Sequence, residues 1–380
     1  MVYRSYLCGV VVIRYILLIL LISGCTGKLA GQDTTSHKLA LSLSYHYGFL
    51  IAHRPMVVPL QKDKLNAVQG DIILRTDGSK EWHRAYGFPE IGVSLSYWDI
   101  GNKEQLGYGL SAMPYIAFPL SKGDRHNFDL KFGWGIGYIE KKFDADDNHK
   151  NIAIGSHLNC ALTLQPRYQI KLTDRLKFGA GISITHFSNG SVSTPNLGIN
   201  LASVTGGITY NTGKIQKLKF EKKPPFTKST RITIFGAGSV KQVYPAEGKT
   251  YYACTLSGNI TRQKTRKSGI GAGADIFYDN SIYKKLDERD LTLNNSFEAF
   301  RVGLHGSYEL VISDLSLMLS MGGYLYSKLQ NDGSIYHRIA IRYQITEKIF
   351  ACMNLKSHWG KADYIEWGIG YRLDFKKKDE

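Results

Sequence analysis

The chain has 380 residues, 43% of them hydrophobic and 12% aromatic, with 48 Lys+Arg against 32 Asp+Glu and a formal net charge of +16. That apolar content can bury a large surface, which excludes a disordered chain. Beyond residue 25 nothing approaches the roughly 20 uninterrupted apolar residues of a spanning helix, which excludes a helical membrane protein. The 39 Gly and 24 Tyr against 10 Pro point instead to many strands that need tight turns and interfacial anchors.

At the start of the chain, Arg4 and Arg14 precede an apolar run from Tyr15 to Ile22, and Ser23-Gly24-Cys25 follow. A basic segment, a short apolar core and small residues at the end read as a secretory signal over residues 1–24. Ile22-Ser23-Gly24-Cys25 resembles a bacterial lipobox, which implies a lipidated Cys25 as the first mature residue. An ordinary signal cut further on, near Ala30, is the alternative. Residues 25–37 then form an N-terminal linker. Cys160, Cys254 and Cys352 remain, an odd and widely spaced set with neither a disulfide framework nor a zinc spacing.

The mature chain reads as strands. From Asp174 to Phe187, Leu176, Phe178, Ala180, Ile182 and Ile184 share one parity, while Lys177, Gly179, Gly181, Ser183 and Thr185 share the other. One face is oily and the other small or polar, at period 2. Similar segments recur near 38–51, 69–76, 90–99, 107–118, 126–139, 153–169 and 199–210. They return near 230–239, 250–262, 267–278, 297–309, 314–326, 334–343, 347–357 and 363–375. Each is about as long as a membrane-crossing strand, roughly 9–11 residues. Tight turns such as Leu172-Thr-Asp174 and Ile345-Thr-Glu347 alternate with longer loops such as 54–68, 140–152 and 279–296. The fold expected is all-β, an antiparallel transmembrane β-barrel of about 12–16 strands. One closed barrel is the expectation, with two eight-strand barrels in series as the alternative. The first half is 38–210 and the second, completing the barrel, is 229–375, followed by a polar tail at 376–380. Between the halves, 211–228 carries Lys214, Lys217, Lys219, Lys222, Lys223 and Lys228 around Pro224-Pro225 and reads as a basic periplasmic linker. With only Phe220 and Phe226 nearby, it lacks the interleaved aromatics of a nucleic-acid site, and no nucleic-acid partner is expected.

One hairpin carries chemistry. His186 continues the oily parity of its strand and Ser188 follows two residues later. Asn200 shares the apolar parity of Ala202, Val204, Ile208 and Tyr210 on the next strand. Three polar side chains thus converge on the lipid-facing side at one end of a hairpin. A serine hydroxyl needs a base to take its proton, and His186 is placed to be that base. Asn189, Gly190 and Asn196 in the intervening loop offer amide donors for an oxyanion, and Pro195 and Gly198 fix the return path. A nucleophile facing the membrane would attack a lipid. The bland reading is a rim cluster hydrogen-bonded for structural reasons.

The run His186-Phe-Ser188-Asn189 with Pro195-Asn196-Leu-Gly198 is similar to the lipid A 3-O-deacylase family of outer-membrane acyl hydrolases. The resemblance extends over residues 38–210, including Trp82-His83 through Tyr97 and Ile154-Gly-Ser-His157. It implies an outer-membrane antiparallel barrel with a membrane-facing Ser-His-Glu triad. It also implies hydrolysis of the ester-linked acyl chain at the 3-position of lipid A in lipopolysaccharide, with no metal or cofactor. By position, Ser188 is the nucleophile and His186 the general base, and Asn196, with the Gly190 amide, is the oxyanion donor. The family's glutamate position is occupied by Asn200. An amide can orient an imidazole but cannot stabilise imidazolium as a carboxylate does. Asp146 or Asp147 is a candidate replacement carboxylate, and Ser156 and His157 are candidates for the surrounding shell.

In the second half, His358 falls on the parity of Asn354 and Lys356, opposite Ile349, Ala351, Met353 and Leu355. It is expected to point into the barrel, in a lumen or rim network with Lys361 and Asp363. The rival to an esterase is a non-catalytic barrel, either a pore or a structural outer-membrane protein.

Overall fold

The computed structural model describes residues 35–220, 226–287, 296–329 and 332–376. The expected signal peptide, Cys25 and nearly all of the 25–37 linker lie outside the described residues, as do Pro224-Pro225 and the last four residues of the tail.

The first eight strands are β1 (Thr35–Leu50), β2 (Leu65–Arg75), β3 (Glu90–Asp99), β4 (Tyr108–Lys122), β5 (His126–Ile139), β6 (Leu158–Lys171), β7 (Leu176–Ser188) and β8 (Ile199–Lys217). The next eight are β9 (Ser229–Gln242), β10 (Thr250–Gln263), β11 (Ser268–Asp279), β12 (Phe300–Ile312), β13 (Leu315–Ser327), β14 (Ile335–Gln344), β15 (Ile349–His358) and β16 (Lys361–Lys376). Among the described residues, two short α-helices, α1 (Glu81–Ala85) and α2 (Ser281–Asp287), and two 3-10 turns, Pro55–Leu60 and Ser296–Ala299, lie in the connections. No helix among the described residues is long and apolar enough to cross a membrane.

Every strand pairs antiparallel with its neighbours, and the sheet closes twice. β1 returns to β8, in register from Leu50↔Leu201 to Thr35↔Lys217 with a shift between His37 and Leu39. β9 pairs with both β10 and β16. The expectation of one closed barrel is therefore corrected. The sixteen strands form two closed barrels of eight, and the second half closes on itself instead of completing the first. The chain divides accordingly into two units, the first holding β1–β8 and the second holding β9–β16 with the segment Gly190–Thr194. The basic linker also begins later than expected, because β8 continues to Lys217.

The physical reason for closure at eight lies inside. An eight-stranded barrel has an interior just wide enough for side chains to fill. In the first barrel the Lys131 ammonium on β5 lies 2.8 Å from both carboxylate oxygens of Asp71 on β2 and 4.0 Å from the centre of the Tyr115 ring. Arg167 lies 2.8 Å from Asp129, and Arg75 lies 2.9 Å from Glu90. Above these pairs sits an apolar core that includes Trp98, Met113, Ile139, Ile154, Phe187 and Leu201. The second barrel holds charged groups together with buried rings, among them Phe235, Phe277, Tyr336 and Tyr364. Lys241 bridges Asp279 (3.0 Å) and Asp363, Lys356 meets Asp363 (2.7 Å), and Arg231 meets Glu309 (2.6 Å). Asp275 receives Arg338 (3.1 Å) and His305 (2.7 Å). Three of these pairs join strands three apart, Lys131 (β5) with Asp71 (β2), Arg231 (β9) with Glu309 (β12) and Arg338 (β14) with Asp275 (β11), and a ring of sixteen would draw them apart; others, such as Arg75 with Glu90 and Lys356 with Asp363, join neighbouring strands. His358 is inside, as its parity predicts, with Nε2 2.8 Å from the Tyr324 hydroxyl. Asp363 shares that lumen network, whereas Lys361 is exposed and stands outside it.

The outer faces are oily. On β7, Ile182 is 59% and Ile184 43% exposed, while Ser183, Thr185 and Phe187 are buried. Short turns at 123–125 and 172–175 mark one end of the first barrel, and long loops at 51–64, 100–107, 140–157 and 189–198 mark the other. The connection 76–89, which contains α1, is a long exception on the short-turn side. At the long-loop end an outward row of rings, Tyr97, Tyr108, Tyr138 and His157, runs with centroids 5.8, 6.3 and 5.7 Å apart. Such a row is the aromatic girdle expected at a membrane interface.

Replacing Lys131 by Met is expected to destabilise the first barrel by about 3–5 kcal/mol, because the Asp71 carboxylate is left buried without its cation. The double change Lys131→Met with Asp71→Leu should recover most of that loss. Urea titration in detergent, followed by gel mobility of unheated samples, measures both; equal stability of the single and double variants would contradict the interior account.

Candidate active site

The β7–β8 hairpin positions the cluster by register alone. His186 pairs directly with Asn200 across the ladder, and Phe187 pairs with Ile199. Phe187 points inward and is fully buried, so its two neighbours, His186 and Ser188, project outward. On β8, Leu201, Ser203 and Thr205 are buried and Val204 is 59% exposed, which puts Asn200 on the outward side as well. The three residues therefore share the membrane-facing surface, at the long-loop end.

The imidazole Nδ1 of His186 lies 2.7 Å from Asn200 Oδ1. A neutral pair of this kind contributes about 1 kcal/mol net, and a carboxylate in place of the amide would roughly double that. With Nδ1 engaged, Nε2 is the ring nitrogen left for Ser188. Same-face residues two apart on a strand are about 7 Å apart along the backbone, a gap an imidazole and a hydroxymethyl can close. Among the described residues no hydrogen bond joins Ser188 to His186; catalytic hydrogen bonds often tighten only around a substrate.

Gly198 makes room for the ring. Its φ is +84°, and a Cβ there would stand 2.6 Å from His186 Cε1. Its N–H donates to the Ala153 carbonyl at 2.9 Å, which ties the return path to the loop before β6. The left-handed backbone and the close approach both require glycine.

The loop amides divide into spent and unspent. The Asn189 backbone N–H donates to Asn196 Oδ1 at 3.1 Å, and Asn189 Nδ2 donates to Ser156 Oγ at 2.8 Å. Both kinds of donor on Asn189 are engaged in holding the loop. With its Oδ1 accepting from Asn189, Asn196 keeps Nδ2 as its side-chain donor. Gly190 has φ +63°, the left-handed backbone that glycine adopts freely.

Of the surrounding residues, Ser156 is in contact with Asn189 and also donates to Asn159 Oδ1 at 3.0 Å. His157 is placed elsewhere: its Nδ1 lies 3.0 Å from the Ile139 carbonyl and its ring stacks on Tyr138. Asp146 and Asp147 do not replace the missing carboxylate. Both are exposed, and their backbone N–H groups donate to Asp144 Oδ1 at 3.0 Å. Those two donors, Asp147 first, hold the Asp144 carboxyl below its usual range.

One contact of Asn200 was not read from the sequence. Its Nδ2 lies 2.9 Å from Nδ1 of His53, three residues past the end of β1. The Ile51 N–H donates to the Asn200 carbonyl at 2.7 Å, which continues the β1–β8 ladder into this loop. Closure of β1 on β8 is the signal that would have found His53.

Two family models match the chain. Residues 70–209 match the one described as lipid A 3-O-deacylase (PagL), and residues 229–377 match acyloxyacyl hydrolase, C-terminal domain. No curated protein matches by sequence. Among solved structures, an outer membrane channel from Pseudomonas putida F1 aligns with 92% of this chain and 100% of its own at 11% identity and a TM-score of 0.19. A mutant porin from Rhodopseudomonas blastica aligns with 89% of this chain and 100% of its own at 7% identity and a TM-score of 0.18. At such scores neither likeness carries an argument. The two family matches together take in most of the chain, and on them the chain belongs to the lipid A 3-O-deacylase and acyloxyacyl hydrolase family of the outer membrane.

Proposed function

We propose that the protein is an outer-membrane serine esterase that removes an ester-linked acyl chain, the one at the 3-position, from lipid A of lipopolysaccharide. The observation that carries this reading is the outward-facing pair His186–Asn200 at 2.7 Å, with Ser188 on the same face beside it. A reactive hydroxyl aimed into lipid has a lipid as its natural substrate. Long loops mark the outer side of such barrels, which is the leaflet that holds lipid A. Basic groups at the rim would favour its phosphates.

In this reading Ser188 Oγ attacks the acyl carbonyl while His186 Nε2 takes its proton. The carbonyl oxygen becomes an oxyanion that accepts from Asn196 Nδ2. Collapse breaks the ester bond, and the imidazolium returns the proton to the sugar oxygen as it leaves. The acyl group is then on Ser188. Water, deprotonated by the same imidazole, attacks that acyl-enzyme and releases a fatty acid with Ser188 restored.

The rival pore reading is weakened by ion pairs that cross each lumen, Lys131 with Asp71 and Arg231 with Glu309. A structural barrel without activity remains an outcome of the test. Lipid A incubated with the purified barrel in detergent should lose one hydroxyacyl chain by mass spectrometry. Ser188→Ala should abolish the loss, and Asn196→Ala should slow it about 10²–10³-fold. Unchanged lipid A with folded protein, or undiminished loss with Ser188→Ala, would overturn the proposal. Loss of a chain from another position would overturn only the positional assignment. Gly198→Ala should fold, run as a compact barrel on unheated gels and lose at least about tenfold in rate, since the new methyl displaces the imidazole; full activity would contradict the packing described for that turn.

A further inference from the structure

We infer that His53 is a positioning residue that sets the amide orientation of Asn200, and through it the tautomer of His186, so that an amide does the orienting work of a carboxylate. The inference rests on the serine-esterase reading of the same cluster and adds a residue to it.

A chain of hydrogen bonds runs from Leu197 through His53 and Asn200 to His186, and its polarity is fixed at the Leu197 end. His53 Nε2 lies 3.1 Å from the Leu197 carbonyl, an acceptor only, so Nε2 carries the proton. In the neutral ring Nδ1 is then an acceptor, and its partner at 2.9 Å is Asn200 Nδ2, a donor. The Ile51 carbonyl is also near Nδ1, but at 3.4 Å it is the weaker contact. With its nitrogen drawn to His53, Asn200 must turn Oδ1 to His186, where it accepts from Nδ1–H at 2.7 Å. That leaves Nε2 of His186 with a lone pair, the state a base for Ser188 requires.

The reverse orientation shows what the device prevents. A flipped Asn200 would aim its N–H groups at His186 Nδ1, and the ring would move its proton to Nε2. The imidazole would then face Ser188 as a donor. An amide in place of a triad acid has cost about 10⁴ in rate in another serine hydrolase through this wrong tautomer. A carboxylate needs no such guard because both of its oxygens accept. An amide has a right and a wrong way round, and His53 occupies the only side of Asn200 that can tell them apart. The guard is itself anchored to the site, because Leu197 lies between Asn196 and Gly198 in the same loop.

The experiment is a double-substitution cycle in the full-length refolded protein, read as deacylation rate on lipid A. His53→Ala should lower kcat about 10–100-fold with little change in KM. The same substitution in an Asn200→Glu background should cost at least about tenfold less, since a carboxylate accepts from His186 whichever way it turns. His53→Gln, which keeps a side-chain acceptor for Asn200 Nδ2, should retain more activity than His53→Ala. Equal losses in the two backgrounds, or no loss from His53→Ala in the natural background, would overturn the inference. A second readout does not depend on activity. In ¹⁵N spectra of the folded protein, His186 should carry its proton on Nδ1, and His53→Ala should yield a mixture of tautomers. A proton on Nε2 in the unsubstituted protein, or an unchanged tautomer in His53→Ala, would overturn it. Absence of deacylation in the unsubstituted protein together with the expected ¹⁵N pattern would instead count against the esterase reading and leave the positioning intact.

Discussion

The hydrogen bond between His186 and Asn200 depends on a register, and so does everything built on it. Strands pair at fixed steps, and a slip of one residue turns every side chain to the opposite face. Because His186 stands opposite Asn200 across β7 and β8, both side chains lie on the outer wall, at the interface end where a polar group costs little. Phe187 between His186 and Ser188 locks that register from inside, packed in the apolar core with Trp98. The cluster is thus held by what lies behind it: a buried aromatic fixes the position of two polar neighbours that face lipid.

The same division of labour runs through both barrels. The outer face is oily at every second residue, while the inner faces carry charges that neutralise each other over a short span. Lys131 with Asp71 in the first barrel and Arg231 with Glu309 in the second are pairs three strands apart that a narrow ring brings together. A filled interior makes a stiff wall. In the proposed esterase reading, such a wall would hold the site in place for a substrate that arrives through the bilayer.

Much of this architecture was legible in the sequence because period-2 alternation is local. The spans of β3 (Glu90–Asp99) and β5 (His126–Ile139) follow directly from it, and parity places His186, Ser188 and Asn200 outward and His358 inward. Closure was not legible, since alternation says which face a residue takes and nothing about which strand edges meet. Two barrels of eight and one barrel of sixteen carry the same pattern until the inward charges are matched across the lumen. His53 escaped for a related reason: it sits in a loop without periodicity and becomes a neighbour of Asn200 only once β1 closes on β8. The amides of Asn189 read as oxyanion donors from their position in the loop, but their hydrogen bonds to Asn196 and Ser156 are tertiary facts. His157 was drawn away by an equally non-local attraction, the stacking on Tyr138.

In the esterase reading Ser188 is an activated nucleophile presented to the hydrocarbon side of the wall. A long-chain alkyl fluorophosphonate partitioned into outer-membrane vesicles that carry the full-length protein tests it most directly, read by intact mass and peptide mapping. One covalent adduct per chain, located on Ser188 and lost when His186 is replaced by Ala, is the predicted result. A folded barrel that takes up no phosphonate, or that is labelled at some other residue, would rule that nucleophile out.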